Sequence, residues 1–269
     1  ASGDAGGALG AALSVWHSHY TKLRTVSVER DAMKGSYLGP KFNDNEIESE
    51  LTACGARFNK VNQGELIEQV ASAITNEKAI GWMQGRMEFG PRALGGRSII
   101  ADPRSPAMQK QLNLKVKYRE SFRPFAPSVL VEHVKEWFEH STDSPYMLLV
   151  ADVQKNKHLK MTEAERSLFG IEKLNVPRSS IPAITHVDYS ARIQTVHRDT
   201  NPLYHAVISK FYEKTGCPLV VNTSFNVRGE PIICTPTDAF KCFMGTEIDV
   251  LAIGSYLLYK EHQDEALKE

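Results

Sequence analysis

Short apolar runs bounded by turn residues recur along the chain, and stretches with helical spacing separate them. AIGWMQ (79–84), RSIIAD (97–102), PSVLVE (127–132), YMLLVAD (146–152), RIQTVH (192–197), PLVVNTS (218–224) and DVLAIGSYLLY (249–259) have strand character. Helical spacing is expected over 8–20, in EIESELTAC behind the N-cap residues Asn43-Asp44-Asn45, and in ELIEQVASAIT, where Leu66, Ile67, Val70 and Ile74 share a face. MQKQLNLKV, 132–138, 162–169, 201–215 and 236–244 follow, the last with Thr235 as N-cap and Pro236 in the first helical position. Strands and helices alternate without a strict βαβ rhythm. That pattern implies a mixed, twisted sheet carrying helices, in one large α/β domain from about 60 to 260. Residues 21–45, with Gly35, Gly39 and Pro40, read as a connection, and 154–190 as a polar, weakly periodic insertion.

Composition removes several classes. Lys+Arg and Asp+Glu are equal at 32 each, so the formal net charge is zero, which speaks against bulk attraction to nucleic acid. Phosphate chemistry would need local clusters of cations. The four cysteines (Cys54, Cys217, Cys234, Cys242) form no C-x-x-C pair and read as free thiols in a reducing cytoplasm. No apolar run approaches the ~20 residues of a membrane helix, and no basic segment opens a secretory signal. The chain starts at Ala1 and enters a Gly-rich stretch at once, so it is expected to be the C-terminal part of a longer polypeptide.

GRMEFGPRALGGRS (85–98) puts Arg86, Arg92 and Arg97 among four glycines. Glycines let backbone amides approach a ligand, and arginine forks bind phosphate or carboxylate through two bonds. The spacing matches neither common phosphate-loop pattern, so a plain turn with solvated arginines stays open. KVKYRESFRPFAPS (115–128) adds Lys115, Lys117, Arg119 and Arg123 on a stretch that Pro124 and Pro127 keep from being helical. In VVNTSFNVRGEP (220–231) an apolar strand ends in Asn222, Thr223, Ser224 and Asn226. Open α/β sheets commonly bind ligands at such strand ends. Ser224 and Asn226, two apart, share a face in extended backbone. No G-x-S-x-G elbow frames Ser224 as a nucleophile. Arg192 in YSARIQTVHR reads alone as an edge charge. His17 and His19 are spaced for different helix faces, and no histidine is assigned to chemistry.

Together GRMEFGPRALGGRS, KYRESFRPFAPS, ARIQTV and NTSFNVRGEPI resemble the C-terminal region of the O-carbamoyltransferases related to nodulation and antibiotic-tailoring enzymes, and GDAGGALGAAL (3–13) resembles the last motif of that family's N-terminal domain. The resemblance implies a YrdC-like module at 61–269 that makes carbamoyl-adenylate from carbamoyl phosphate and ATP, with release of phosphate and pyrophosphate. It implies a tail of an actin-like ATPase-fold domain at 1–25 and an inter-domain connection at 26–60. Carried over by position, Lys117, Arg92 and Ser224 would be catalytic, and Arg119, Arg123, Arg192 and Asn226 substrate-binding, with the K-x-R pair facing the S-x-N pair across the pocket. Asp4 would help hold iron or another divalent metal in the full-length transfer domain. Mg²⁺ would accompany ATP, and the partners would be a hydroxyl-bearing acceptor and the N-terminal domain of the same polypeptide. The competing reading is a YrdC-like nucleotide- or RNA-binding module without catalysis, which the neutral charge disfavours.

Overall fold

The computed structural model describes residues 4–25 and 32–268, the side chains of 4, 5 and 268 excepted. Helix α1 (Asp4–Ser14) runs into a π-helical turn at Val15–His19. The Gly-rich start of the chain is therefore helical over 4–7. The flanking alanines, the best helix formers, offset the roughly 1 kcal/mol that each glycine costs. Helices α2 (Asp44–Ala53) and α3 (Gln63–Thr75) each start with a complete capping box, Asn43 with Glu46 and Asn62 with Glu65. α3 buries Leu66, Val70, Ala71 and Ile74, each large side chain contributing roughly 1.5–3 kcal/mol. The order continues with α4 (Met108–Lys115), α5 (Val134–Trp137), α6 (Glu163–Ser167), α7 (Gly170–Leu174), α8 (Pro202–Thr215) and α9 (Pro236–Met244).

The described residues form a nine-stranded mixed sheet: β1 (Asn59–Lys60), β2 (Ile80–Met83), β3 (Arg97–Ala101), β4 (Ala126–Leu130), β5 (Leu149–Asp152), β6 (Ser190–Val196), β7 (Leu219–Ser224), β8 (Val250–Ile253) and β9 (Tyr256–Tyr259), ordered β1-β9-β8-β2-β3-β7-β4-β6-β5. β2 pairs with β8, and β4 with β6, in parallel; the other pairs are antiparallel. The mixed α/β sheet expected from the alternating pattern is thus present. An actin-like remnant is not identifiable in α1.

Three expectations change. DVLAIGSYLLY is a hairpin rather than one strand, because Gly254 at φ 52° turns the chain between Ile253 and its partner Tyr256. A Cβ there would also meet Ile47 Cδ1 at 2.6 Å. Within 26–60, read as a connection, α2 inserts Ile47 and Leu51 into the main core and β1 pairs with β9. Within 154–190, read as an insertion, Ile181, Ala183 and Ile184 are fully buried in the same core. Short polar segments hid these anchors because single apolar residues carry no period.

The sheet brings one set of strand ends together. β7 runs antiparallel to β3 and β4, so its end at Ser224 lies beside their beginnings. β6, parallel to β4, begins there too, and β2 ends there by delivering the loop 84–96. Everything expected to bind ligand from the body of the chain converges on this rim.

Candidate active site

A cleft of about 450 Å³ opens at that rim. Arg92, Arg119, Arg123 and Arg192 line it with Ser224, Thr223 and Asn222, and among the described residues no acidic one does so. Four cationic side chains from three separate segments thus share one hollow.

The three arginines of the 85–98 loop have different fates. Arg97 is fully buried, and its guanidinium donates to the carbonyls of Gln84, Gly85, Gly96 and Pro40 at 3.0–3.3 Å. Arg86 donates to Gly39 O at 3.0 Å. These two brace backbone. Arg92 is the one that faces the cleft, and it makes no hydrogen bond or ion pair with another described residue.

The loop is held by groups that, Asn222 excepted, were not singled out in the sequence. Glu88, 5% exposed, accepts at Oε1 from the backbone N–H of Leu94 (2.6 Å), Gly96 (2.7 Å) and Arg97 (3.2 Å). One carboxylate oxygen therefore collects three amides of a tight turn. Below the loop, Asn222 Nδ2 lies 3.0 Å from Ala93 O, 2.9 Å from Ser128 Oγ and 2.9 Å from Gln194 Oε1. Gln194 Nε2 donates to Leu94 O at 2.8 Å, as does Tyr37 OH at 2.6 Å. This buried network pins the two carbonyls next to Arg92. Its signal was in the sequence, since Ser128, Gln194 and Asn222 interrupt apolar strands. Gly95 completes the turn at φ 101°, where a Cβ would lie 2.3 Å from the Tyr204 ring.

Lys117 sits behind Ser224 and does not line the open cleft. Its ammonium donates to the Ser224 carbonyl, to Asn226 Oδ1 (2.8 Å), to Asn226 O (2.9 Å) and to Ser224 Oγ at 3.3 Å. Ser224 Oγ in turn donates to Asn226 Oδ1 at 2.7 Å. The lysine and the S-x-N turn were expected to face one another across a pocket; instead they are bonded directly, and Asn226 also lies off the cleft wall. Burial, then the neighbouring Arg119 charge, pushes Lys117 down from 10.5 to about 7.

Arg119 is oriented by Asn113 Oδ1, which accepts from its Nε at 2.6 Å, and stacks on Phe125 with 4.8 Å to the ring centroid. Burial and then Arg123 lower its pKa to about 10. Arg123 is half-exposed and pairs loosely with Glu120 at 3.8 Å. Arg192 lies in the interior of β6, between β4 and β5, so it is no edge charge. Burial and then Arg92 lower its pKa. The Nε atoms of Arg92 and Arg192 are buried without a partner. Unpaired buried donors beside each other are costly in an empty protein and useful to an anion. His186, not assigned to chemistry in the sequence, lines the cleft; burial lowers its pKa, which favours the uncharged ring.

The Asp4 side chain lies outside the described residues. His17 and His19 lie on the exposed π-helical turn. Among the described residues, no group of three His, Cys, Asp or Glu could hold a metal ion, and no helix is long and apolar enough to cross a membrane.

Comparison with known proteins gives a match to the family model described as Carbamoyltransferase C-terminus over residues 71–260. The chain belongs to the carbamoyltransferase C-terminus family. It is 57% identical over 265 residues to an uncharacterized protein of Synechocystis sp., sll1178, covering 98% of this chain and 43% of that protein. It is 40% identical over 264 residues to the nodulation protein NolO of Bradyrhizobium diazoefficiens (97% of this chain, 44% of that protein). It is likewise 40% identical over 264 residues to NolNO of Sinorhizobium fredii (97% and 35%). The chain thus spans less than half the length of these relatives. Among solved structures, full-length HypF in its phosphate- and nucleotide-bound form matches with a TM-score of 0.45 at 16% identity, over 75% of this chain and 22% of that one. Arg92, Lys117, Arg119, Arg123, Arg192, Ser224 and Asn226 all lie inside the matched span of the carbamoyltransferase C-terminus family.

Proposed function

We propose that this chain is the carbamoyl-adenylate-forming, YrdC-like part of an ATP-dependent O-carbamoyltransferase. The observation that carries the reading is the convergence of Arg92, Arg119, Arg123 and Arg192 on one cleft with no acidic residue among the described ones in its wall. Water first attacks the phosphorus of carbamoyl phosphate, the P–O bond to the carbamoyl group breaks, and carbamate leaves while the inorganic phosphate formed takes up the water's proton. A carbamate oxygen then attacks the α-phosphorus of ATP, the bond to the bridging oxygen breaks, and pyrophosphate leaves. Both partners are anionic, and two like charges ~4 Å apart repel by about 4 kcal/mol at an effective dielectric of 20. Fixed guanidinium groups offset that repulsion and the charge that develops on the leaving pyrophosphate.

In this reading Arg92 and Arg192 take the phosphate or carbamoyl oxygens through their unpaired Nε–H groups. Arg119 and Arg123 close the opposite side. Ser224 orients the carbamoyl group, while Lys117 fixes the Ser224–Asn226 turn and adds positive charge from behind. No proton-transfer residue is required. The described residues of the cleft wall include no carboxylate to hold Mg²⁺, so magnesium would arrive on the phosphates of ATP. Transfer to a hydroxyl acceptor would take place in the preceding domain of the longer relatives, with its own divalent metal.

The test is pyrophosphate release from ATP by the 269-residue chain, with and without carbamoyl phosphate. Release that depends on carbamoyl phosphate is the expected result. A chain that binds nucleotide or RNA but releases no pyrophosphate is a binding module, and the proposal fails.

A further inference from the structure

The cationic cleft has a neighbour. A second cavity of about 300 Å³ adjoins it, and Pro124 and His186 line both. Its character differs: Phe122, Val176, Pro177, Pro182 and Val187 make up much of its wall, with no acidic residue among those described. One side comes from α4 and the loop after it. The other comes from residues 174–187, inside the stretch whose sequence reads as an insertion.

That wall is built rigidly. The guanidinium of Arg178, itself 9% exposed, donates to the carbonyls of Lys173 (2.9 Å), Leu174 (3.1 Å) and Val176 (3.2 Å). Ser179 Oγ and Thr185 Oγ1 lie 2.7 Å apart, and Thr185 Oγ1 donates to Ile181 O at 2.9 Å. Ile181 and Ile184 anchor the segment in the core. A preformed apolar chamber beside a cationic one suits a ligand with an anionic part and a flat, weakly polar part. At the shared wall His186 presents a ring that can stack or bond without adding charge.

We infer that residues 174–187 form the base side of a two-chambered nucleotide site, with the heteroaromatic base of the nucleoside triphosphate between this wall and Phe122, and its phosphates in the arginine cleft. The inference rests on the proposed reading that the cleft takes ATP. It assigns the 154–190 segment a part in nucleotide selection, in place of a mere surface insertion.

The test uses the 269-residue chain and two probes, ATP and inorganic pyrophosphate, titrated calorimetrically. Val176→Trp fills the chamber, and Phe122→Ala removes the exposed wall opposite. Each should weaken ATP about tenfold or more, the scale of one lost base–aromatic contact, and leave pyrophosphate affinity within twofold. ATP affinity unchanged in both variants overturns the inference. So does an equal loss for both probes in Phe122→Ala, whose side chain is exposed and whose fold is checked by circular dichroism. A wild-type chain that binds neither probe overturns this inference and the proposed function together. A chain that binds ATP with the expected variant pattern, yet releases no pyrophosphate with carbamoyl phosphate, overturns the proposed function alone.

Discussion

Lys117 Nζ lies 2.8 Å from Asn226 Oδ1 and 3.3 Å from Ser224 Oγ, so a lysine two residues past the end of α4 clamps the turn that follows β7. It also takes both backbone carbonyls of that turn. A buried lysine with four oxygen neighbours is a brace as well as a charge. The two roles separate experimentally.

Lys117→Ala removes the brace and leaves the part-buried Asn226 carbonyl without its donor, while the Ser224 carbonyl keeps the Asn226 N–H at 3.1 Å. An unmet group costs roughly 1–3 kcal/mol, so urea unfolding should show a loss of about 1 kcal/mol or more. Carbamoyl-phosphate-dependent pyrophosphate release should fall to background. A variant with unchanged stability and turnover would remove Lys117 from the site.

The pH dependence follows from the lowered pKa. Between about 7 and its ordinary value of 10.5, Lys117 has released its proton in the folded state while the unfolded chain still holds one. Stability contributed by this group therefore rises with pH over that window. Comparing wild type with Lys117→Met between pH 7 and 9, the stability difference should shift by on the order of 1 kcal/mol per pH unit in favour of wild type at the higher pH. An anionic ligand should draw the proton back. Calorimetric titration at pH 8 in buffers of different ionisation enthalpy should show proton uptake that Lys117→Met abolishes.

Arg92 and Arg97 stand five residues apart and should behave oppositely. Arg92→Ala breaks no bond within the described residues, so stability should stay within about 0.5 kcal/mol. ATP or pyrophosphate binding should weaken about tenfold or more, since bonds to charged groups contribute roughly 1.5–3 kcal/mol. Arg97→Ala strips donors from four carbonyls and leaves a cavity, and should cost about 3 kcal/mol or more in urea unfolding. Equal effects of the two would contradict their placement.

Glu88→Ala should loosen the arginine loop. Three amides lose their acceptor, at a cost of about 2–4 kcal/mol. Hydrogen exchange at Leu94, Gly96 and Arg97 should accelerate, and ATP affinity should drop although Glu88 does not line the cleft. Protection unchanged at these amides would show that the carboxylate does not hold the turn.

Gly95→Ala places a methyl against the Tyr204 ring in a backbone region that favours glycine. Thermal denaturation should register a loss of more than about 2 kcal/mol. A neutral outcome would mean that the loop and the α8 packing shift freely.

Much of the architecture was legible in local pattern. The capping residues Asn43 and Thr235, the helical face of Leu66, Val70 and Ile74, and the apolar strands around 80, 99, 129 and 220 all follow from spacing and backbone chemistry. These signals are short-range, so one stretch of chain suffices to read them. The burial of Ile47 and Leu51 and the core anchors Ile181 and Ile184 were not legible, because each depends on a partner far along the chain, and the local hairpin at Gly254 was hidden by the apolar runs on both sides of it.

The same division runs through the site. The sequence by itself determined which segments are rich in arginine and where strands end in polar residues, because both are matters of local composition. Only the tertiary structure decided that Arg92 faces a cleft while Arg97 braces carbonyls, that Lys117 grips Ser224 from behind, and that Arg192 lies inside the sheet. A guanidinium has the same chemistry in either role. Strand order and the buried network beneath the loop choose between them, and those are set by contacts between residues about a hundred positions apart.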